Sequence, residues 1–151
     1  MFDEDYVSSG YRLYFLVMYN LSPIQKGIQA GHAALEYVEE YGHKDQYKEF
    51  LENHKTWIIL DGGGSEQIKQ VQKDLDDMGV DNSHFIEPDL NNAMSCVTFL
   101  VPEEIYDAER LYKTSLVYVE GGQPEWQFEQ KFLTDQQNKF KNWLSKFRLA
   151  R

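Results

Sequence analysis

The sequence predicts an α/β domain with a four-stranded mixed sheet flanked by helices and an extra C-terminal helical extension. Three observations lead there. Residues 11–19, Tyr-Arg-Leu-Tyr-Phe-Leu-Val-Met-Tyr, form a nearly unbroken apolar and aromatic run, as in a strand buried on both faces. A long helical pattern opens directly after it at Ser22-Pro23. Short strand-like runs then alternate with helical stretches, the pattern of a sheet containing parallel pairs.

Each element has a local cause. Ser22 is a favoured N-cap because its hydroxyl accepts a bond from an otherwise unpaired amide, and Pro23 loses nothing at the first helical position. That helix is expected to reach about Tyr41 and stop at Gly42. Ile24, Ile28, Gly31, Leu35 and Val38 recur at steps of four and three, and are expected to be its buried stripe. Gly27, Ala30, Gly31, Ala33 and Ala34 make the helix thin. Two glycines in a helix, each costing about 1 kcal/mol against alanine, suggest close approach to a sheet or ligand.

A short helix is expected over residues 44–52 and a strand over 56–60, leaving through Asp61-Gly-Gly-Gly64. Ser65 is expected to cap a helix with the stripe Ile68, Val71 and Leu75, ended by Gly79. Strands follow over 84–87 and 95–101, close enough in sequence to pair antiparallel. Residues 103–112 read as a helix, 115–119 as a strand and Gly121-Gly122 as a turn. Thr134-Asp-Gln-Gln137 has capping-box spacing. It opens a helix to about Arg148, with Phe140, Trp143, Leu144 and Phe147 on one side.

The chain has 151 residues, 42% of them hydrophobic, which suits one domain spanning 1–151 with a core of its own. A single cysteine, Cys96, excludes an internal disulfide and suggests a reducing compartment. The acidic start, Met-Phe-Asp-Glu-Asp, is unlike a signal peptide, and no apolar run is long enough to span a membrane. A cytoplasmic location without membrane contact is expected. The net charge of −10 argues against non-specific nucleic-acid binding. Residues 131–151 depart from it, with six basic residues against Asp135 alone.

The helix opening at Ser22 carries the strongest chemical signal. Gln25, Gln29, His32 and Glu36 follow one another at steps of four, three and four, so they point one way, with Lys26 beside them. In open α/β sheets ligands bind beyond the carboxyl ends of strands, at helix N-termini. His32 can move a proton near neutral pH, with Glu36 one turn on to orient it, and Lys26 can stabilise developing negative charge. The same spacing fits a solvated face with an ordinary i,i+4 pair. Asp61–Ser65 suits a βα turn better than a phosphate cradle, since it lacks the P-loop lysine. His43, His54 and His84 share no ligand spacing with Cys96, so no metal or other cofactor is expected. The aromatic and basic residues of 128–148 suit a docked helix first, a homodimer or protein-partner surface second, and RNA third.

Residues 21–35, Leu-Ser-Pro-Ile-Gln-Lys-Gly-Ile-Gln-Ala-Gly-His-Ala-Ala-Leu, resemble the first-helix motif of the type II peptidyl-tRNA hydrolases, with Leu21, Ser22, Gln29, His32 and Ala33 in register. Phe85-Ile-Glu-Pro-Asp-Leu90 is similar to the family's Ile-x-Asp-Ala-Gly segment, with the acid one residue late. Residues 95–102 resemble its last strand. The resemblance covers roughly residues 11–105 and leaves 106–151 as an extension. It implies metal-independent hydrolysis of the ester joining a peptidyl or blocked aminoacyl group to tRNA. The family aspartate then falls nearest Asp89 and a strand threonine on Thr98. The family lysine falls on Gln25, with Lys26 one residue late and about 100° around the helix. The resemblance thus implies catalytic roles for Asp89 and Thr98, to which the helix spacing adds Lys26 and His32 as catalytic candidates and Ser22, Gln25, Gln29 and Glu36 as substrate contacts. A binding module that holds a nucleotide-like ligand or a protein without turnover is the alternative.

Overall fold

The structure, a computed structural model, describes residues 10–107, 112–117, 120–130 and 132–151. Its elements are β1 (Arg12–Val17), α1 (Pro23–Tyr41), α2 (Asp45–Glu52), β2 (Trp57–Asp61), α3 (Ser65–Asp77), β3 (Ser83–Glu87), a 3-10 turn (Pro88–Leu90), β4 (Ala93–Val101), α4 (Glu103–Tyr106), β5 (Tyr112–Val117), β6 (Glu125–Gln130) and α5 (Asp135–Leu144).

The main sheet has the strand order β2-β1-β4-β3 and is mixed. β1 runs parallel to β2, with Val17 opposite Asp61, and antiparallel to β4, with Val17 opposite Cys96. β3 pairs antiparallel with β4, with a bulge between Phe85 and Ile86. One layer of core lies between the sheet and α1–α2, formed by Leu13, Phe15, Val17, Ala30, Ala33, Tyr37, Tyr47, Phe50 and Cys96. The other lies between the sheet and α3, α4 and α5, and includes Leu16, Ile68, Val71, Leu75, Phe99, Phe140 and Leu144. β1 is buried from both sides, as its sequence requires. Cys96 is a core residue, and burial pushes its thiol up from the ordinary value.

Ser22 caps α1, its hydroxyl accepting from the Gln25 amide at 3.2 Å. Gly42 ends it in right-handed geometry, where a Cβ would collide with the Val38 carbonyl oxygen. Gly64, not Ser65, is the cap of α3. The Thr134/Gln137 capping box of α5 is formed in both directions, and α5 docks by its aromatic side.

Further expectations are corrected. The buried face of α1 is Lys26, Gln29, Ala30, Ala33, Ala34 and Tyr37, while Ile24, Ile28, Leu35 and Val38 are exposed. The alanines are short enough to seat the helix backbone on the sheet, and the larger stripe points away. Gly27 and Gly31 do not sit close against the sheet, because nothing among the described residues lies within 4 Å of a Cβ at either. The helix expected over 103–112 is only one turn, ending at Tyr106, and Tyr112 already belongs to β5. Residues 108–111, 118 and 119 lie outside the described residues. β5 forms a two-stranded sheet with β6, a strand not foreseen.

The helix expected to reach Arg148 ends at Leu144. The chain beyond it runs along β2 as a short antiparallel strand. The Asp61 amide donates to the Arg148 carbonyl and the Ala150 amide to the Ile59 carbonyl. These main-chain bonds cover part of an otherwise open β2 edge.

Candidate functional site

The end of the sheet where β1 and β2 finish gathers four chain segments. The Met18 amide donates to the Ser95 carbonyl, Tyr19 to Gly63, and Gly62 to Val17. The N-terminus of α1 opens there. So does the β3–β4 connection that carries Asp89, because Glu87 pairs with Ala93 at the same end.

α1 divides its polar residues between two flanks. Gln29 and His32 lie toward β3 and β4. Gln29 is buried, and the Ser95 hydroxyl donates to its Oε1 at 2.5 Å. His32 is half-buried, with its ring centroid 4.4 Å from that of Phe85 on β3. Its Nδ1 is the one buried side-chain nitrogen or oxygen without a hydrogen-bond partner among the described residues. Glu36, half-buried one turn on, therefore does not orient that nitrogen. Gln25 and Asp89 are exposed. Further along the same side Glu40 accepts from the Ser83 hydroxyl.

Lys26 lies on the other flank, only 7% exposed. Its ammonium donates to the Arg151 main-chain oxygen at 2.7 Å, tying α1 to the C-terminal strand. Lys26 and His32 are six residues apart, about 120° around the helix, so they do not converge. Thr98 is fully buried within the sheet and donates to the Tyr14 carbonyl at 2.8 Å. That hydroxyl braces β4 against β1. Ser22 spends its hydroxyl as the helix cap.

The glycine loop after β2 is a turn rather than a phosphate cradle. The Gly62 amide is bonded to Val17, Gly63 to the Asp61 carboxylate at 3.0 Å, and Gly64 to Gln67 Oε1 at 3.0 Å. Beside the loop is a cavity of about 470 Å³, lined by Gly62, Gly63, Gln67 and Asp74 together with Lys146, Phe147 and Arg148. It adjoins a larger groove of about 680 Å³ between α3 and α5, where Trp143 donates to Asp74 at 3.0 Å. The C-terminal basic residues Lys146 and Arg148 thus lie beside the glycine loop at the end of β2. Among the described residues no cluster of His, Cys, Asp and Glu is arranged to hold a metal ion, and no helix is long and apolar enough to cross a membrane.

Ser95, Phe85 and Arg151 were not singled out from the sequence. Ser95, a polar residue in an apolar strand, gave a readable signal. Arg151 acts through its main chain and gave none. No protein-family model and no curated protein sequence matches the chain.

Proposed function

We propose that the His32 flank of α1 is the site of a divergent peptidyl-tRNA hydrolase-like ester hydrolase acting on peptidyl- or aminoacyl-tRNA in the cytoplasm. The observation that carries this reading is the unpaired His32 Nδ1. A buried polar atom without a partner costs about 1–3 kcal/mol, and such a cost persists where the group is used. The resemblance over residues 21–35 supplies the substrate class.

In this reading a water adds to the ester carbonyl carbon. His32 accepts its proton and delivers it to the departing ribose oxygen, so acid and free tRNA hydroxyl leave together. Asp89 orients the water, and Gln25 positions the acyl group. Gln29, fixed by Ser95, holds the flank in shape. Lys146 and Arg148 meet the phosphate backbone, which brings cationic charge to an acidic chain.

The test is release of the acyl group from N-blocked aminoacyl-tRNA. His32→Ala is expected to lower kcat/KM by about 100-fold or more, and Asp89→Asn to lower it as well. Full activity retained in the Lys26→Ala/His32→Ala double variant refutes the assignment of the flank.

One observation favours the binding-module alternative: the Lys26 ammonium is committed to Arg151, so it does not serve the His32 flank. Under that reading tRNA or a nucleotide stabilises the protein and is recovered intact.

A further inference from the structure

The outward face of α1 is apolar from end to end. Ile24 is 76% exposed, Ile28 40%, Leu35 69% and Val38 43%, and Gly27 and Gly31 lie between them. No charged side chain interrupts the stripe, and among the described residues nothing covers it. It runs about 21 Å along the helix. A contiguous apolar face of this kind marks an interaction surface.

The arrangement selects the occupant. The stripe is nearly symmetric about Gly31. In an antiparallel pairing of two α1 helices centred there, Ile24 of one copy meets Val38 of the other, and Leu35 meets Gly27. A large side chain thus faces a bare backbone at both ends, and Gly31 faces itself. The two glycines fit this arrangement. Each weakens the helix relative to alanine, and neither is required by a contact among the described residues.

Charge agrees. The first turn of α1 has no acid and its last turn no base, while Glu36 and Glu39 lie near its C-terminal, electronegative end. Antiparallel pairing sets Glu39 beside the partner's Ser22-Pro23, where the helix amides carry partial positive charge.

We infer that the outer face of α1 is a self-association surface, on which a second copy of this chain packs antiparallel about a two-fold axis at Gly31. Such an interface is isologous and closes on itself. One helix face is small for an interface, so association in the micromolar range is expected. The inference stands independently of the ester-hydrolase reading.

Sedimentation of the full chain across the micromolar range tests it. The wild-type chain is expected to pass from monomer to dimer, and Leu35→Glu to stay monomeric with an unchanged circular-dichroism spectrum. Gly31→Cys, lying on the axis, is expected to oxidise to a covalent dimer. Gln70→Cys, exposed on α3, is expected not to, and Cys96 is buried and does not compete. A wild-type chain that stays monomeric throughout overturns the proposal, including the case in which deuterium exchange shows α1 covered by another segment of the same chain. A dimer unaffected by Leu35→Glu, or Gly31→Cys cross-linking no faster than Gln70→Cys, also overturns it.

Discussion

Ser95→Ala is a sharp test of how the α1 flank is held. Ser95 is fully buried and Gln29 is 1% exposed. The Ser95 hydroxyl donates to Gln29 Oε1, and only weakly, at 3.4 Å, to the Phe85 carbonyl. Alanine removes a single oxygen, so the cavity cost is small. The main cost is the stranded Gln29 oxygen, for which an unsatisfied buried acceptor implies about 1–3 kcal/mol. For a chain of this size that corresponds to a fall in Tm of about 2–4 °C per kcal/mol. Urea unfolding measures it directly as a lower midpoint at unchanged slope. Gln29→Leu removes the acceptor with similar bulk. In the double variant neither partner is left stranded, so its loss is expected to be well below the sum of the two single losses. A Ser95→Ala protein within about 0.5 kcal/mol of wild type, the range of an ordinary surface change, refutes the argument. So does simple additivity in the double variant.

Removing residues 149–151 deletes the Ala150–Ile59 and Lys26–Arg151 bonds. At about 1 kcal/mol per bond, a loss near 2 kcal/mol is expected in urea unfolding, with increased aggregation from the bared β2 edge. Burial raises the pKa of Tyr37 well above its ordinary 10.0. The folded chain therefore holds that proton more tightly than the unfolded one, and stability is full below pH 10 and declines as pH rises beyond it. The slope contributed is up to about 1.4 kcal/mol per pH unit, and Tyr37→Phe is expected to make the alkaline decline of the urea midpoint shallower. Gly27→Ala is expected to stabilise the monomer by up to about 1 kcal/mol, measured at concentrations too low for pairing. Gly42→Ala is expected to destabilise, because its Cβ meets the Val38 carbonyl oxygen; thermal unfolding separates the two.

α1 shows what a helical period does and does not disclose. Its start at Ser22 and its end at Gly42 were legible because caps act locally on amides and carbonyls. Its orientation was not. The helix carries two apolar faces about a third of a turn apart, one of alanines and one of isoleucine, leucine and valine, and a period near 3.6 fits both. Hydrophobicity favours the larger residues for the core. The sheet selected the smaller ones, since Ala30 and Ala33 let the backbone sit close while Gln29 finds Ser95 across the gap. The polar row survives this reversal because it lies between the two faces, so Gln29 and His32 stay together whichever face is buried. Lys26 does not, because one residue is 100° of rotation, and that step carries it to the flank facing the C-terminal strand. The strand itself was invisible for a different reason. Its pairing to β2 uses the main-chain groups of Arg148 and Ala150, which no side-chain pattern encodes, whereas β6, equally unforeseen, did carry a pattern, since Glu125-Trp-Gln-Phe-Glu-Gln130 alternates polar and aromatic residues with a period of two. The location of the candidate site was therefore readable from cap and row. The partner of its lysine depended on a contact made 125 residues away in the chain.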